Sequence, residues 1–258
     1  MKRALLLPCM MDPKTGNLYF VISQNRQALG WPAGSNKYGI FGGNVRDFES
    51  LETTAAREFL EETLGTVLFS EDDNTTQKHH RRIHKLSHRL RTRQVLAVYR
   101  SEDWILYLVN VPWDPGCTRR FDHSRSCLSA LCSLTRGQEL SNDEWRHLMP
   151  RSAAKRASRH RWLLSHAATR VTRPERSRRP TVTEVKPWFL EKKSLMLMSA
   201  PLLFKVLEDG GSFLKALFHV GTFESKSLEI LEIVLGHLRH EHPETVYSAQ
   251  SMFGTCAA

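Results

Sequence analysis

Three glutamates stand close enough in the chain to do chemistry together: Glu58, Glu61 and Glu62. A spacing of i, i+3 and i+4 puts them on one face of a helix, about one turn apart. Bare carboxylates in such a patch repel one another, and Arg57 alone cannot offset three of them. A hard divalent cation can, because it takes oxygen ligands and carries the charge. The plainer reading is a solvated acidic face, with Arg57 as an ordinary helix partner of Glu61. Ala55, Ala56, Phe59 and Leu60 recur at helical spacing and predict a helix over 50–63. Ser50 or Thr53 is placed to cap it, and Gly65 to end it in the left-handed conformation that glycine accepts.

The whole stretch from Gly42 to Gly65 reads GGNVRDFESLETTAAREFLEETLG. It resembles the Nudix box, G-x5-E-x7-R-E-U-x-E-E-x-G-U. Gly43, Glu49, Arg57, Glu58, Glu61 and Glu62 fill the fixed positions up to the double glutamate, and Phe59 fills the bulky apolar slot. One departure is visible. The box has one residue between its last glutamate and its closing glycine, whereas here Thr63 and Leu64 both intervene. The extra residue follows the acidic positions, so it bears on the helix end and not on the carboxylates.

The resemblance implies an α/β fold, the Nudix α/β/α sandwich around a mixed sheet. It also implies hydrolysis of a nucleoside diphosphate linked to another group, with Mg²⁺ or Mn²⁺ as cofactor. On that analogy Glu58, Glu61 and Glu62 hold the metal with help from the Gly42 carbonyl. Arg57 then orients Glu58, and Glu49 fixes Arg57; a purely structural Glu49–Arg57 pair is the alternative. The general base is a box glutamate in some relatives and a carboxylate on a later loop in others. Glu144 is the candidate of the second kind, with Glu139 next. Trp31, Tyr38 and Phe41 lie where a base could stack, with core packing as the alternative. The box itself does not specify a substrate.

Charge is unevenly placed. The 258-residue chain has a formal net charge of +10. Residues 78–93 carry seven Lys/Arg and no acid, and residues 151–179 carry ten Lys/Arg and only Glu175. Without those two runs the remainder nets −6. The body is thus mildly acidic, and two segments make the protein basic. RNA is the candidate partner for them through its phosphates; solvated runs with no ligand are the alternative. Five scattered cysteines with no C-x-x-C pair point to reduced thiols and an intracellular compartment, cytoplasmic before nuclear or mitochondrial. No apolar run approaches a membrane span. Four histidines in 79–88 lack cysteine company and read as part of a basic run, not a zinc site.

The elements that must position the box come next. We expect one domain, with basic insertions at about 71–93 and 151–187 and a frayed tail at 242–258. Strands are predicted over 4–11 and 17–25, joined by a turn at 12–16. A loop over 27–36 should lie near the substrate, before a strand over 38–41 and a turn at the Gly42-Gly43 pair. A strand over 65–70, a hairpin of 94–99 with 104–111, and a loop-rich connection over 112–136 should follow. Helices are predicted over 196–208, 212–220 and 225–240, the last with Leu228, Leu231, Ile233, Leu235 and Leu238 as its apolar face. Two functions from different classes fit. One is an active pyrophosphohydrolase; the other is an RNA-associated protein that holds triphosphate or capped 5′ ends with little hydrolysis.

Overall fold

The computed structural model describes residues 2–26, 36–70, 79–135, 171–172, 181–182, 187–208 and 223–241. Within them a mixed seven-stranded sheet is flanked by helices on both faces. Strand β1 (Arg3–Met11) lies at its centre and runs parallel to β6 (Trp104–Asn110). Its other edge is shared. Residues 3–6 pair with β4 (Phe41–Asn44), and residues 9–11 pair with β2 (Leu18–Asn25). Pro8, which has no N–H to give, falls in the gap between those two partners. Strand β3 (Tyr38–Gly39) and β9 (Lys192–Ser199) both pair with β2, and β5 (Ala97–Arg100) closes the far edge on β6.

The sheet is buried on both faces, which is why β1 reads as an unbroken apolar run. Ala4, Leu6 and Met10 face α1 (Leu51–Glu62), α2 (His79–Arg91) and α3 (Cys117–Thr135). Leu5, Leu7 and Cys9 face α4 (Ala200–Glu208) and α5 (Ser225–Glu241). Strands β7 (Val171–Thr172) and β8 (Thr181–Val182) form a separate two-stranded pair.

Several expectations need correction. The Gly42-Gly43 pair is not a turn but part of β4, opposite Leu5 and Ala4. A side chain at Gly42, whose φ is 143°, would meet the Ala4 carbonyl at 2.4 Å. Residues 65–70 form no strand. Their carbonyls accept instead from arginines: Arg82 bonds Gly65 and Val67, Arg89 bonds Phe69, and Arg120 bonds Thr66. The basic run 79–91 is a helix packed on α1, with Arg82, Leu86 and Leu90 buried at four-residue intervals. The connection after residue 112 is the nineteen-residue α3. The helix expected over 196–208 starts only at Ala200, because 192–199 pairs with β2 along its length. In α5 the buried residues are Ser227, Ile230, Leu231, Val234 and Leu235, while Ile233 faces solvent. Residues 27–35 of the loop expected over 27–36, the helix over 212–220 and the tail at 242–258 lie outside the described residues, as does most of the second basic run.

Candidate functional site

Helix α1 carries the site. Its N-cap is Ser50, whose hydroxyl accepts from the Thr53 N–H at 3.1 Å. Its end is unusual. Thr63 caps it, and both Leu64 and Gly65 take the left-handed conformation, with φ of 53° and 61°. Leu64 thus adopts the backbone that the resembling motif gives to glycine, and it is buried. The cost of a left-handed non-glycine residue, about 1 kcal/mol, is offset by burial of its side chain.

Arg57 is the hub. Nε and Nη2 donate to the two oxygens of Glu49 at 2.8 and 2.9 Å, a bidentate pair. Nη1 donates to Glu58 at 2.7 Å and to Glu61 at 3.2 Å. Glu49 also accepts from the Thr54 hydroxyl at 2.9 Å. Desolvation pushes the Glu49 carboxyl up, but the bonds from Arg57 and Thr54 win and hold it below the usual carboxylate range. Gly43 lies directly beneath Glu58, since a methyl group there would stand 2.5 Å from the Glu58 carboxylate.

Glu62 has a different environment. Its Oε2 accepts from the Gly42 N–H at 2.9 Å, and its Oε1 pairs with Lys192 Nζ at 2.8 Å. Lys192 donates as well to Asn25 Oδ1 at 2.8 Å, and Asn25 donates to Glu224 at 2.7 Å. A buried polar chain therefore runs from the acidic helix across β9 and β2 to the start of α5. Burial raises the carboxyls of both Glu61 and Glu62 to about 7, against the pull of Arg57 and Lys192 respectively. The negative charge of Glu58 adds to both shifts.

The sequence-predicted residues thus divide. Glu49, Arg57, Glu58 and Glu61 form one bonded group, and Glu62 joins it through the field of Glu58 and the Gly42 backbone. Tyr38 and Phe41 are buried in the core, the first against Phe223 and the second edge-on to Phe59. Neither presents a ring face on which a base could stack. Trp31, Glu139 and Glu144 lie outside the described residues. The structure adds residues that sequence reasoning missed. Lys192 and Glu191 arrive from 130 positions later in the chain, with no motif to mark them. Desolvation and then Glu58 raise the Glu191 carboxyl, against Lys192 and Arg46. Phe48, inside the box, is fully exposed with a φ of 66°. It stands between Arg46, whose charge reaches Glu49, Glu61 and Glu191, and Glu49 itself.

The donor set is chemically right for a hard divalent cation: oxygen only, poorly solvated, and short of positive charge. Among the described residues, however, no three His, Cys, Asp or Glu side chains converge as a ready metal cage. The cations in contact with the carboxylates are Arg57 and Lys192. Among the described residues no helix is long and apolar enough to cross a membrane. Comparison with protein-family models and with curated proteins found no match to this chain.

Proposed function

We propose that the chain is a divalent-metal-dependent pyrophosphohydrolase of Nudix fold, cleaving a nucleoside diphosphate linked to another group. Nucleotides, nucleotide-capped molecules and RNA 5′ ends belong to that substrate class. One observation carries the reading: Arg57 is clamped by Glu49 and in turn holds Glu58 and Glu61 on one helix face. A solvated acidic face would leave these side chains exposed and independent, but Arg57, Glu61 and Glu62 are buried.

Glu58, Glu61, Glu62 and the Gly42 carbonyl are the groups that would hold Mg²⁺ or Mn²⁺. When bound, such a cation neutralises pyrophosphate charge and acidifies a water. The protein's own part is orientation and proton transfer. Glu49 fixes Arg57, and Arg57 turns Glu58 towards the site through a charge-assisted bond. Lys192 and the Gly42 N–H fix Glu62 in one orientation. Glu191, exposed and close enough to Glu58 to feel its charge, is a described carboxylate that could take a proton from attacking water. Glu144 remains the other candidate.

The test is a substrate panel with Mg²⁺ and with Mn²⁺: nucleoside triphosphates, dinucleoside polyphosphates, nucleotide sugars, and capped and triphosphorylated RNA. At least one should turn over, and Glu62→Gln should lower kcat about a hundredfold, as loss of metal-borne charge stabilisation does. Turnover by Glu62→Gln equal to that of the parent would refute the assignment. The alternative, an RNA-associated protein with little hydrolysis, draws on Lys192. A fixed lysine already supplies the positive charge facing Glu62. Under that reading the whole panel stays uncleaved while triphosphorylated RNA still binds.

A further inference from the structure

A cleft of about 400 Å³ opens elsewhere on α1, between the start of that helix, the end of α2 and the β5–β6 hairpin. It shares no lining residue with the acidic cluster. Its one carboxylate, Glu52, lies about half a turn round the helix from Glu61, at about 100° per residue. Arg91, Arg93 and Arg100 line the opening, and all three are exposed. Tyr107 lies at the floor and donates its hydroxyl to Glu52 at 3.0 Å.

Arg91 acts electrostatically on Glu52, and Arg100 on Tyr107. Arg93 holds a left-handed backbone, φ 58°, with its N–H bonded to the Leu90 carbonyl at 3.2 Å. A bulky side chain pays for that conformation by about 1 kcal/mol, and the turn sets Arg93 on the rim. Among the described residues no carboxylate lies at ion-pair distance from any of the three guanidiniums. Glu52 is already satisfied. Desolvation alone would raise its carboxyl, but its own N–H, the Tyr107 hydroxyl and Ser50 hold it down and ionised. Three cations and one committed anion leave the cleft with two net positive charges. Leu90, Val95 and Val98 give it apolar walls, and Leu96 stands at the edge with 57% of its surface exposed.

We propose that this cleft is a second ligand site, which takes the phosphate of a nucleotide on its guanidiniums and the sugar or base against its apolar wall. Charge and size both fit. A phosphate monoester carries close to two negative charges, planar guanidinium forks match its oxygens, and about 400 Å³ is within the range of small-ligand sites. The nucleotide is either free or the 5′-phosphorylated end of an RNA strand, because both present the same phosphate monoester and ring faces.

Binding is measured on the full chain in EDTA, so that the acidic cluster cannot recruit phosphate through a cation. The probes are adenosine 5′-monophosphate and a 5′-phosphorylated RNA hexamer. Two double variants remove equal charge: Arg93→Ala with Arg100→Ala in the cleft, and Arg81→Ala with Lys85→Ala on the exposed face of α2. The cleft pair should weaken both probes at least tenfold, and the α2 pair should stay within about threefold. Weakening of the hexamer alone by the cleft pair identifies a strand as the ligand. Arg93→Gln, a single exposed change, is read in parallel and should lose at least threefold should the double variant fold poorly. Glu62→Gln should bind as the parent does, which separates this site from the pyrophosphohydrolase reading. Equal losses from the two pairs, or no binding of either probe, would overturn the proposal.

Discussion

Lys192 and Glu62 form a buried ion pair on elements far apart in the chain, and such pairs behave asymmetrically. Removing one partner leaves an uncompensated buried charge, which costs about 3 kcal/mol or more, whereas removing both costs much less. Lys192→Met should therefore lose about 3 kcal/mol of stability in urea, and adding Glu62→Gln should recover at least about 1 kcal/mol of it. Strict additivity in that cycle would show that the pair is not formed in solution. The same residues predict a pH dependence. Burial raises Glu61 and Glu62 to about 7 in the folded state, against 4.5 for an unperturbed glutamate. The native protein then binds more protons than the unfolded chain between those values, so stability falls as pH rises through that window. Without divalent metal, the fall from about pH 4.5 to 7 should be shallower in Glu62→Gln, as read by urea midpoints. An unchanged slope would contradict the burial of Glu62. Arg57, Glu58 and Glu49 were legible in the sequence because the resembling motif has fixed spacing. Lys192 was not, since its role comes from β9 lying beside β2, a pairing between positions 170 apart that no local pattern records.

At the scale of elements, α2 shows how composition can hide structure. Its residues 79–91 read as a charge run, yet Arg82, Leu86 and Leu90 mark a helical stripe that packs on α1. The stripe was easy to miss because its first member is an arginine. That arginine is fully buried and bonds the Gly65 carbonyl at 2.8 Å, just past the end of the acidic helix. Arg82→Met keeps much of the volume but orphans those carbonyls. It should cost about 2 kcal/mol or more in stability and raise hydrogen exchange at Thr66–Phe69 ahead of β1. Exchange unchanged there would mean that Arg89 and Arg120 suffice. Strand β9 failed differently. Leu and Met favour helices in isolation, but pairing with β2 decided the matter, as tertiary context commonly does for strands.

For the whole molecule, the charge map separates a mildly acidic body from two basic segments, and the described residues hold nearly all of the first and little of the second. If residues 151–179 bind RNA backbone, their contribution should be salt-dependent and indifferent to sequence. Deleting them should weaken triphosphorylated RNA and flatten the salt slope, while turnover of a mononucleotide substrate stays within a few-fold. Equal affinity and slope in the deleted chain would favour an inert segment or a protein-docking role. The order of the sheet has a consequence for how the protein is made. Cys9 in the central strand bonds to Val109, 100 positions on. At about 5–20 residues per second of synthesis, the apolar stretch from Leu5 to Met10 waits for at least about 5 s before β6 emerges to cover its second edge. Until then it can pair only with β2 and β4, and its open edge is a template for other chains. Newly made protein should therefore depend on chaperones more than the mature fold does, and slow, cool expression should improve its recovery.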